Sequence, residues 1–108
     1  MDSRGTLATA IDHVFEHLGV DAIFSREGAF SISLTVLKSA ADTEYEFGDG
    51  TLVGNIAKFE MRISDIEDVG RPLPNDIIAL DDVKYKIYAE PLRNMERGTW
   101  DVEGLLQS

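Results

Sequence analysis

Apolar residues near the N-terminus recur every three to four positions, which is the spacing of one helical face. The residues in this pattern are Leu7, Ile11, Val14, Phe15 and Leu18. The spacing predicts an amphipathic helix over residues 6–18, with Ser3 or Thr6 as its N-cap. Gly19 follows directly, and we expect it to end the helix in the left-handed conformation that glycine adopts easily.

After Gly19 the period of the pattern changes to two residues. The alternating residues are apolar Phe30, Ile32, Leu34 and Val36 and polar Ser31, Ser33 and Thr35, with a weaker alternation over 21–26. Because alternate side chains of a strand point to opposite faces, this pattern predicts a half-buried hairpin over 20–38. Its turn is expected near Glu27-Gly28.

Alternation returns in the second half of the chain, over residues 57–63, 83–89 and 99–105. Each of these segments predicts a strand with one solvated face. Pro72 and Pro74 exclude a central strand between the first two, whereas Ile77 to Leu80, followed by two aspartates, predicts a short strand and a tight turn. Trp100 shares its strand face with Val102, so we interpret it as a core residue.

The segment over residues 39–54 breaks the pattern. It mixes acidic residues with Tyr45, Phe47 and three glycines. This composition predicts a long mobile loop, and long loops in compact domains are usually functional or disordered. The aromatic side chains among charges make the loop a candidate contact surface.

These elements fit a single domain of 108 residues, a length within the usual range for one core. We divide residues 1–108 into an N-terminal helix (1–19), a hairpin (20–38), the mobile loop (39–54) and a β cluster (55–108). The predicted fold class is mainly β with an N-terminal α-helix (α+β). About six to seven strands would form a small β-sandwich or a partly closed barrel.

Charge and composition exclude several functions. With 20 acidic and 10 basic residues the net charge is -10, which repels the phosphate backbone and disfavours specific nucleic-acid binding. The absence of cysteine excludes disulfides and thiolate ligands. No stretch approaches the ~20 apolar residues that span a bilayer, and the start of the chain does not resemble a signal peptide.

The sequence also contains few residues arranged for chemistry. His13 and His17 have the helical i, i+4 spacing of metal ligands, but they lie beside acidic residues on the polar face. The acidic run at Asp65, Glu67 and Asp68 lacks the spacing of an EF-hand. No nucleophile elbow or P-loop occurs, although a carboxylate pair among so many acids stays open. We therefore expect no enzyme activity, no cofactor and no metal site.

Three segments carry a resemblance to a known family. They are Gly70-Arg71-Pro72-Leu73-Pro74-Asn75-Asp76-Ile77-Ile78, Val83-Lys84-Tyr85-Lys86-Ile87 and Gly98-Thr99-Trp100-Asp101-Val102. With the helix, hairpin and loop that precede them, they resemble the lambda-like head-tail joining (head-tail attachment, connector) proteins of bacteriophages and prophages. The resemblance covers essentially the whole chain.

The resemblance implies a structural protein of the virion that is present in the host cytoplasm during assembly. Such a protein docks on the portal of the DNA-filled head, forms a ring around the DNA channel and receives the tail. Its implied partners are portal or connector and tail proteins, together with further copies of itself. Two alternatives stay open, which are a tail-terminator or baseplate subunit and a small ligand-binding barrel.

Candidate partner-binding residues come from the loop and from the remaining basic residues. They are Tyr45, Phe47, Leu52, Arg93 and Arg97. Aromatic side chains and arginines contribute strongly to interface energies, and local positive charge on an acidic protein favours an acidic protein partner over DNA. Lys84 and Lys86, on one face of their predicted strand, form a second basic group of this kind.

Overall fold

The computed structural model describes residues 3–40 and 56–107. This part of the chain forms one α-helix, a short 3₁₀ helix and seven strands. In chain order they are α1 (Ser3–Leu18), β1 (Val20–Arg26), β2 (Phe30–Ala40), β3 (Ile56–Arg62), the 3₁₀ helix (Ile63–Ile66), β4 (Ile77–Leu80), β5 (Val83–Ile87), β6 (Leu92–Asn94) and β7 (Thr99–Gln107). The predicted fold class, mainly β with an N-terminal helix, is confirmed.

Six of the strands close into an antiparallel barrel. The strand order is β3-β2-β1-β4-β5-β7, and β7 pairs again with β3 to close the circle. This last pairing runs from Ile56 opposite Leu105 to Arg62 opposite Thr99. Closure pairs both edges of each of these six strands, which is one way in which β proteins avoid edge-to-edge aggregation.

The barrel interior is filled by the apolar side chains that the alternation predicted. The buried core cluster consists of Ala22, Phe24, Leu34, Val36, Ala57, Phe59, Met61, Ile66, Ile78, Tyr85, Ile87 and Val102. The rings of Phe59 and Tyr85 pack edge to face, with centroids 5.1 Å apart. A small ligand-binding barrel needs a deep apolar cavity, and the strands of the described part of the chain fill that space with side chains.

The β1–β2 hairpin has its predicted turn. Gly28 adopts a φ of 75°, and Ala29 N donates to Arg26 O at 3.0 Å. β2 is longer than predicted, because Ser39 and Ala40 belong to the strand rather than to the loop. The rest of the predicted loop, including Tyr45, Phe47 and Leu52, lies outside the described residues.

Strand β6 was not predicted, and it leaves the regular register through a bulge. β5 pairs with β7 up to Ile87 opposite Gly104, whereas β6 resumes with Leu92 opposite Asp101. The four residues 88–91 thus face only two residues of β7. The strand that we predicted over 83–89 ends at Ile87, where this irregular pairing begins. The bulge displaces β6 from the barrel, and β6 is paired with β7 alone.

Only part of the apolar face of α1 is covered by the barrel. Ile11 and Phe15 are buried, Val14 is half-buried, and Leu18 is 71% exposed. The side chain of Leu7 lies outside the described residues. The guanidinium of Arg62 on β3 lies 4.9 Å from the centre of the Phe15 ring, so the middle of the helix is its point of attachment.

Gly19 joins α1 to β1 in a way that differs from our expectation. The described glycines with positive φ are Gly28, Gly70 and Gly98, so the predicted left-handed cap at Gly19 is wrong. Glycine is required at this position because neighbouring atoms leave no room for a Cβ atom. A Cβ atom on Gly19 would lie 2.2 Å from the Phe15 carbonyl oxygen and 2.3 Å from Thr35 Cγ2.

We expect Gly19→Ala to push α1 away from β2 and to lower the free energy of unfolding by about 1–3 kcal/mol, as overpacking does. Urea denaturation followed by circular dichroism measures this change. Glu16→Ala, an exposed substitution one turn earlier in the same helix, should leave the midpoint nearly unchanged. Equal midpoints for Gly19→Ala and the wild type would contradict the close-approach explanation.

Candidate assembly surfaces

The proline-bounded segment over residues 70–76 is held by one buried carboxylate. Asp76 is 2% exposed, and its two oxygens accept hydrogen bonds from Arg26 Nε and Nη2, each at 2.8 Å. Asp76 Oδ2 also accepts from Leu73 N at 2.8 Å. Arg26 Nη2 donates in addition to Arg71 O at 3.0 Å. We call this pair the Arg26–Asp76 clasp.

The clasp joins two distant parts of the chain. Arg26 ends β1 at the hairpin turn, and its guanidinium also lies 4.9 Å from the centre of the Phe30 ring. The hydrogen bond to Asp76 raises the pKa of Arg26 above its ordinary value, so the arginine remains charged. Bidentate arginine–carboxylate pairs fix orientation as well as distance. The clasp therefore sets the position of the 70–76 segment relative to the barrel.

A second ionic cluster attaches α1. Arg62 donates to Asp65 Oδ2 at 2.8 Å and to Asp12 Oδ1 at 3.2 Å. Burial lowers the pKa of Arg62, but the hydrogen bonds and charges of Asp65 and Asp12 outweigh this effect and raise it. Asp65, which we considered as part of a calcium site, therefore serves as a partner of Arg62.

An open groove of about 460 Å³ lies on the outside of the barrel over β2, β3 and β7, beside Ala89, Glu90 and Leu92 of the bulge and β6. Its lining contains four carboxylates and two lysines, together with apolar Leu37 and Leu92. We call it the acidic groove. Its carboxylates are Glu60, Glu90, Asp101 and Glu103, and its lysines are Lys38 and Lys58.

Two of these carboxylates face each other across paired strands. Glu60 and Asp101 are register partners, and Arg97 binds Glu60 with Nη2 at 2.9 Å. Burial and the charge of Glu60 raise the pKa of Asp101, against the opposing effects of Thr99 and Arg97. The folded state therefore loses stability as the pH rises through this raised pKa. A cation placed in the groove would reduce that loss.

Glu103 and Glu90 extend the groove along the bulge. Tyr88 on the bulge donates its hydroxyl hydrogen to Glu103, and Arg71 donates to Glu90. Lys58 is the register partner of Glu103, while the ammonium of Lys38 lies 5.3 Å from the centre of the Tyr85 ring. Since Arg97 and Arg71 pair with Glu60 and Glu90, Asp101 and Glu103 are the groove carboxylates that have no arginine salt bridge among the described residues.

The predicted basic residues have different surroundings. Arg97 is bound to Glu60, as described above, whereas the Arg93 guanidinium lies 5.8 Å from the centre of the Trp100 ring. Trp100 itself is half-buried and packs against the core, in line with our interpretation. Its Nε1 is buried and has no hydrogen-bond acceptor among the described residues. Arg93 is thus the more exposed of the two arginines.

Lys84 and Lys86 share the outward face of β5. Both are exposed, and in the described part of the chain neither takes part in an ion pair. The register places half-buried Ile77 and Leu105 on either side of Lys86. We call these four residues the lysine face, since its two ammonium groups, which have no ionic partner among the described residues, lie beside apolar side chains.

The two histidines that have the i, i+4 spacing of metal ligands lie on the exposed side of α1. His13 and His17 are exposed, with ring centroids 6.4 Å apart, and no group of three or more potential metal ligands occurs in these ranges. No helix described in these ranges is long and apolar enough to cross a membrane.

Comparison with known protein families assigns the chain. A family model described as phage head-tail attachment protein matches residues 4–104. The chain belongs to this family. The match confirms the resemblance seen in the sequence, and it covers the clasp, the acidic groove and nearly all of the lysine face. A comparison with curated proteins gave no match.

Membership in the head-tail attachment family establishes the broad role of the protein. Head-tail attachment proteins are structural phage proteins, so this chain contributes to joining head and tail and has its place in the virion. Components of the phage head and tail are accordingly its partners. The three surfaces described above are candidates for those contacts.

Proposed function

We propose that this head-tail attachment protein forms a ring on the portal of the DNA-filled head and presents a surface to which the tail binds. The match to the family over residues 4–104 is the observation that carries this proposal. The filled barrel interior supports it, because a protein that works through its outer surfaces needs no ligand cavity. Assembly from subunits free in the host cytoplasm belongs to the same proposal.

The charge of the protein suits a ring around DNA. A net charge of -10 repels the phosphate backbone, so DNA would pass through the ring without adhering to it. The same charge supports the proposed absence of specific nucleic-acid binding, whereas the proposed absence of an enzymatic role is supported by the family match. Local basic residues then serve contacts with proteins.

We further propose that Tyr45, Phe47, Leu52, Arg93 and Arg97 contact neighbouring proteins. Of the two arginines, Arg93 is the cleaner probe. Reversing the charge of Arg97 would place a carboxylate beside Glu60 and would disturb the barrel surface as well as any docking. Within residues 3–40 and 56–107, the contact of Arg93 that charge reversal removes is the one with the Trp100 ring.

The test is an assembly reaction. Purified protein is added to DNA-filled heads and free tails, and joined particles are counted by electron microscopy and by infectivity. We expect the wild type to join them. The Tyr45→Ser/Phe47→Ser variant should reduce joined particles about tenfold or more, since the loss of an interface anchor costs about 2 kcal/mol or more.

Leu18→Ser is the control, because Leu18 is 71% exposed and is not among the proposed contacts. It should join particles as the wild type does. Wild-type joining by the Tyr45→Ser/Phe47→Ser variant would contradict the anchor role. Protein that binds free tails but not heads would instead indicate a tail-terminator or baseplate subunit.

A further inference from the structure

The acidic groove and the lysine face are complementary in charge and in apolar content. The groove has Asp101 and Glu103, which form no salt bridge with an arginine of the described residues, beside Leu37 and the 69% exposed Leu92. The lysine face offers two ammonium groups that have no ionic partner among the described residues, beside Ile77 and Leu105. The carboxylates of one surface thus match the ammonium groups of the other, and both surfaces add apolar side chains.

We propose that the lysine face of one copy of this chain docks in the acidic groove of the next copy. The inference rests on the proposed ring and names the two surfaces that would build it. Lys84 and Lys86 would lie against Asp101 and Glu103. Complementary charges of this kind set the register of an interface and suppress wrong pairings.

The two faces are different surfaces of the barrel that lie side by side. Asp101, Glu103 and Leu105 are on β7, and the two lysines are on β5, the neighbouring strand. A contact between two different faces is head-to-tail, and repeated contacts of this kind close into a ring when the rotation between subunits permits.

The groove also gains from receiving a cation. Asp101 is half-buried and faces Glu60 directly, and both features raise its pKa above the ordinary value. A lysine ammonium from the next copy would offset the repulsion between the two carboxylates. The contact would therefore stabilise both partners, and it would weaken as salt screens the charges.

The first test uses charge reversal on each face. One variant carries Lys84→Glu and Lys86→Glu, and the other carries Asp101→Lys and Glu103→Lys. Each variant alone would set like charges against each other, so we expect self-association to fall at least tenfold in sedimentation velocity over a concentration series. Joined particles, counted in the assembly reaction, should fall with it.

The second test mixes the two variants. In a mixture, opposite charges meet at every contact when the two variants alternate around the ring. The mixture should therefore recover self-association and joining, although neither variant alone self-associates or joins particles as the wild type does. A single chain carrying all four reversals should recover as well. Recovery of this kind is not expected if the substitutions simply damage the fold.

A control for the groove variant, Asp21→Lys/Glu27→Lys, makes the same change in net charge at exposed positions away from both faces, and it should associate like the wild type. If the groove variant fails to fold by circular dichroism, Glu90→Lys/Glu103→Lys replaces it. Isotopically labelled and unlabelled protein are mixed, bound to heads and treated with a carbodiimide. This reagent should link Lys84 or Lys86 to groove carboxylates, and the labelling identifies links between copies.

The outcomes separate this inference from the proposed function. If both reversal variants form joined particles at wild-type levels, and no interchain crosslinks form between the two faces, the docking proposal is wrong. The joining role would be unaffected by this result. Loss of joining by the groove variant, with unchanged self-association, would overturn it in favour of another virion protein in the groove. No joining by the wild type would reject the proposed function itself.

Discussion

Replacing Arg26 by alanine is expected to lower the free energy of unfolding by about 3 kcal/mol. Removing one partner of a buried ion pair leaves an uncompensated charge and costs about 3–5 kcal/mol. Here the lower value is appropriate, because the Arg26 side chain is 28% exposed although Asp76 is 2% exposed. The substitution also frees Arg71 O from its hydrogen bond. Urea or thermal denaturation of the purified variant gives the measurement.

Three further variants identify the cause of that loss. Arg26→Lys keeps the charge but not the bidentate geometry, so its stability should be intermediate. Asp76→Asn in the Arg26→Ala background should recover part of the loss, because it removes the unpaired charge. Arg93→Ala, at an exposed arginine, is the matched control. Equal losses for Arg26→Ala and Arg93→Ala would show that the clasp does not stabilise the barrel.

Gly104→Val is expected to destabilise the barrel by about 3 kcal/mol, at the upper end of the usual overpacking range. Gly104 lies on β7 between Ala57 of β3 and Ile87 of β5. A Cβ atom there would lie 2.8 Å from Tyr85 Cβ and 3.2 Å from Phe59 Cε2. Because the neighbouring contact is another Cβ atom, side-chain rotation alone does not relieve it.

The size of the added group should determine the size of the effect. Gly104→Ala is expected to cost less than Gly104→Val, and Gln107→Val, at an exposed position of the same strand, should cost little. Native-state hydrogen exchange would place the loss on the amides of β3, β5 and β7. Unchanged unfolding midpoints for both Gly104 variants would mean that the barrel interior has more space than the distances indicate.

The strands could be predicted where the alternation was long. In β2 and β7 the period of two extends over enough residues to distinguish a strand from a loop, and the buried face was correctly assigned. β6 has three residues, of which Leu92 and Arg93 are exposed, so it left no pattern. Barrel closure was also beyond prediction, since it depends on pairing between β3 and β7, which are far apart in the chain.

Local alternation along a strand also predicted part of the candidate surfaces. The positions of Lys84 and Lys86 on one strand face follow from the local period. The acidic groove does not, because its carboxylates come from three separate segments. The clasp joins residues 50 positions apart. Asp76 lies in one of the segments that carry the family resemblance, but the local sequence does not indicate Arg26 as its partner. At Gly19 the local preference for a left-handed cap misled us, since the requirement came from Thr35 on a neighbouring strand.

The position of β7 in the chain has a consequence for protein synthesis. β7 follows all the other strands, and until it has left the ribosome both β3 and β5 have an unpaired edge. The barrel can close only after translation has passed Gln107, and chains cut short would expose edges that invite proteolysis or aggregation. Asp101, Glu103 and Leu105 also lie on β7. A prematurely terminated chain would lack part of both proposed docking faces, so it would be excluded from virions instead of entering them as a defective subunit.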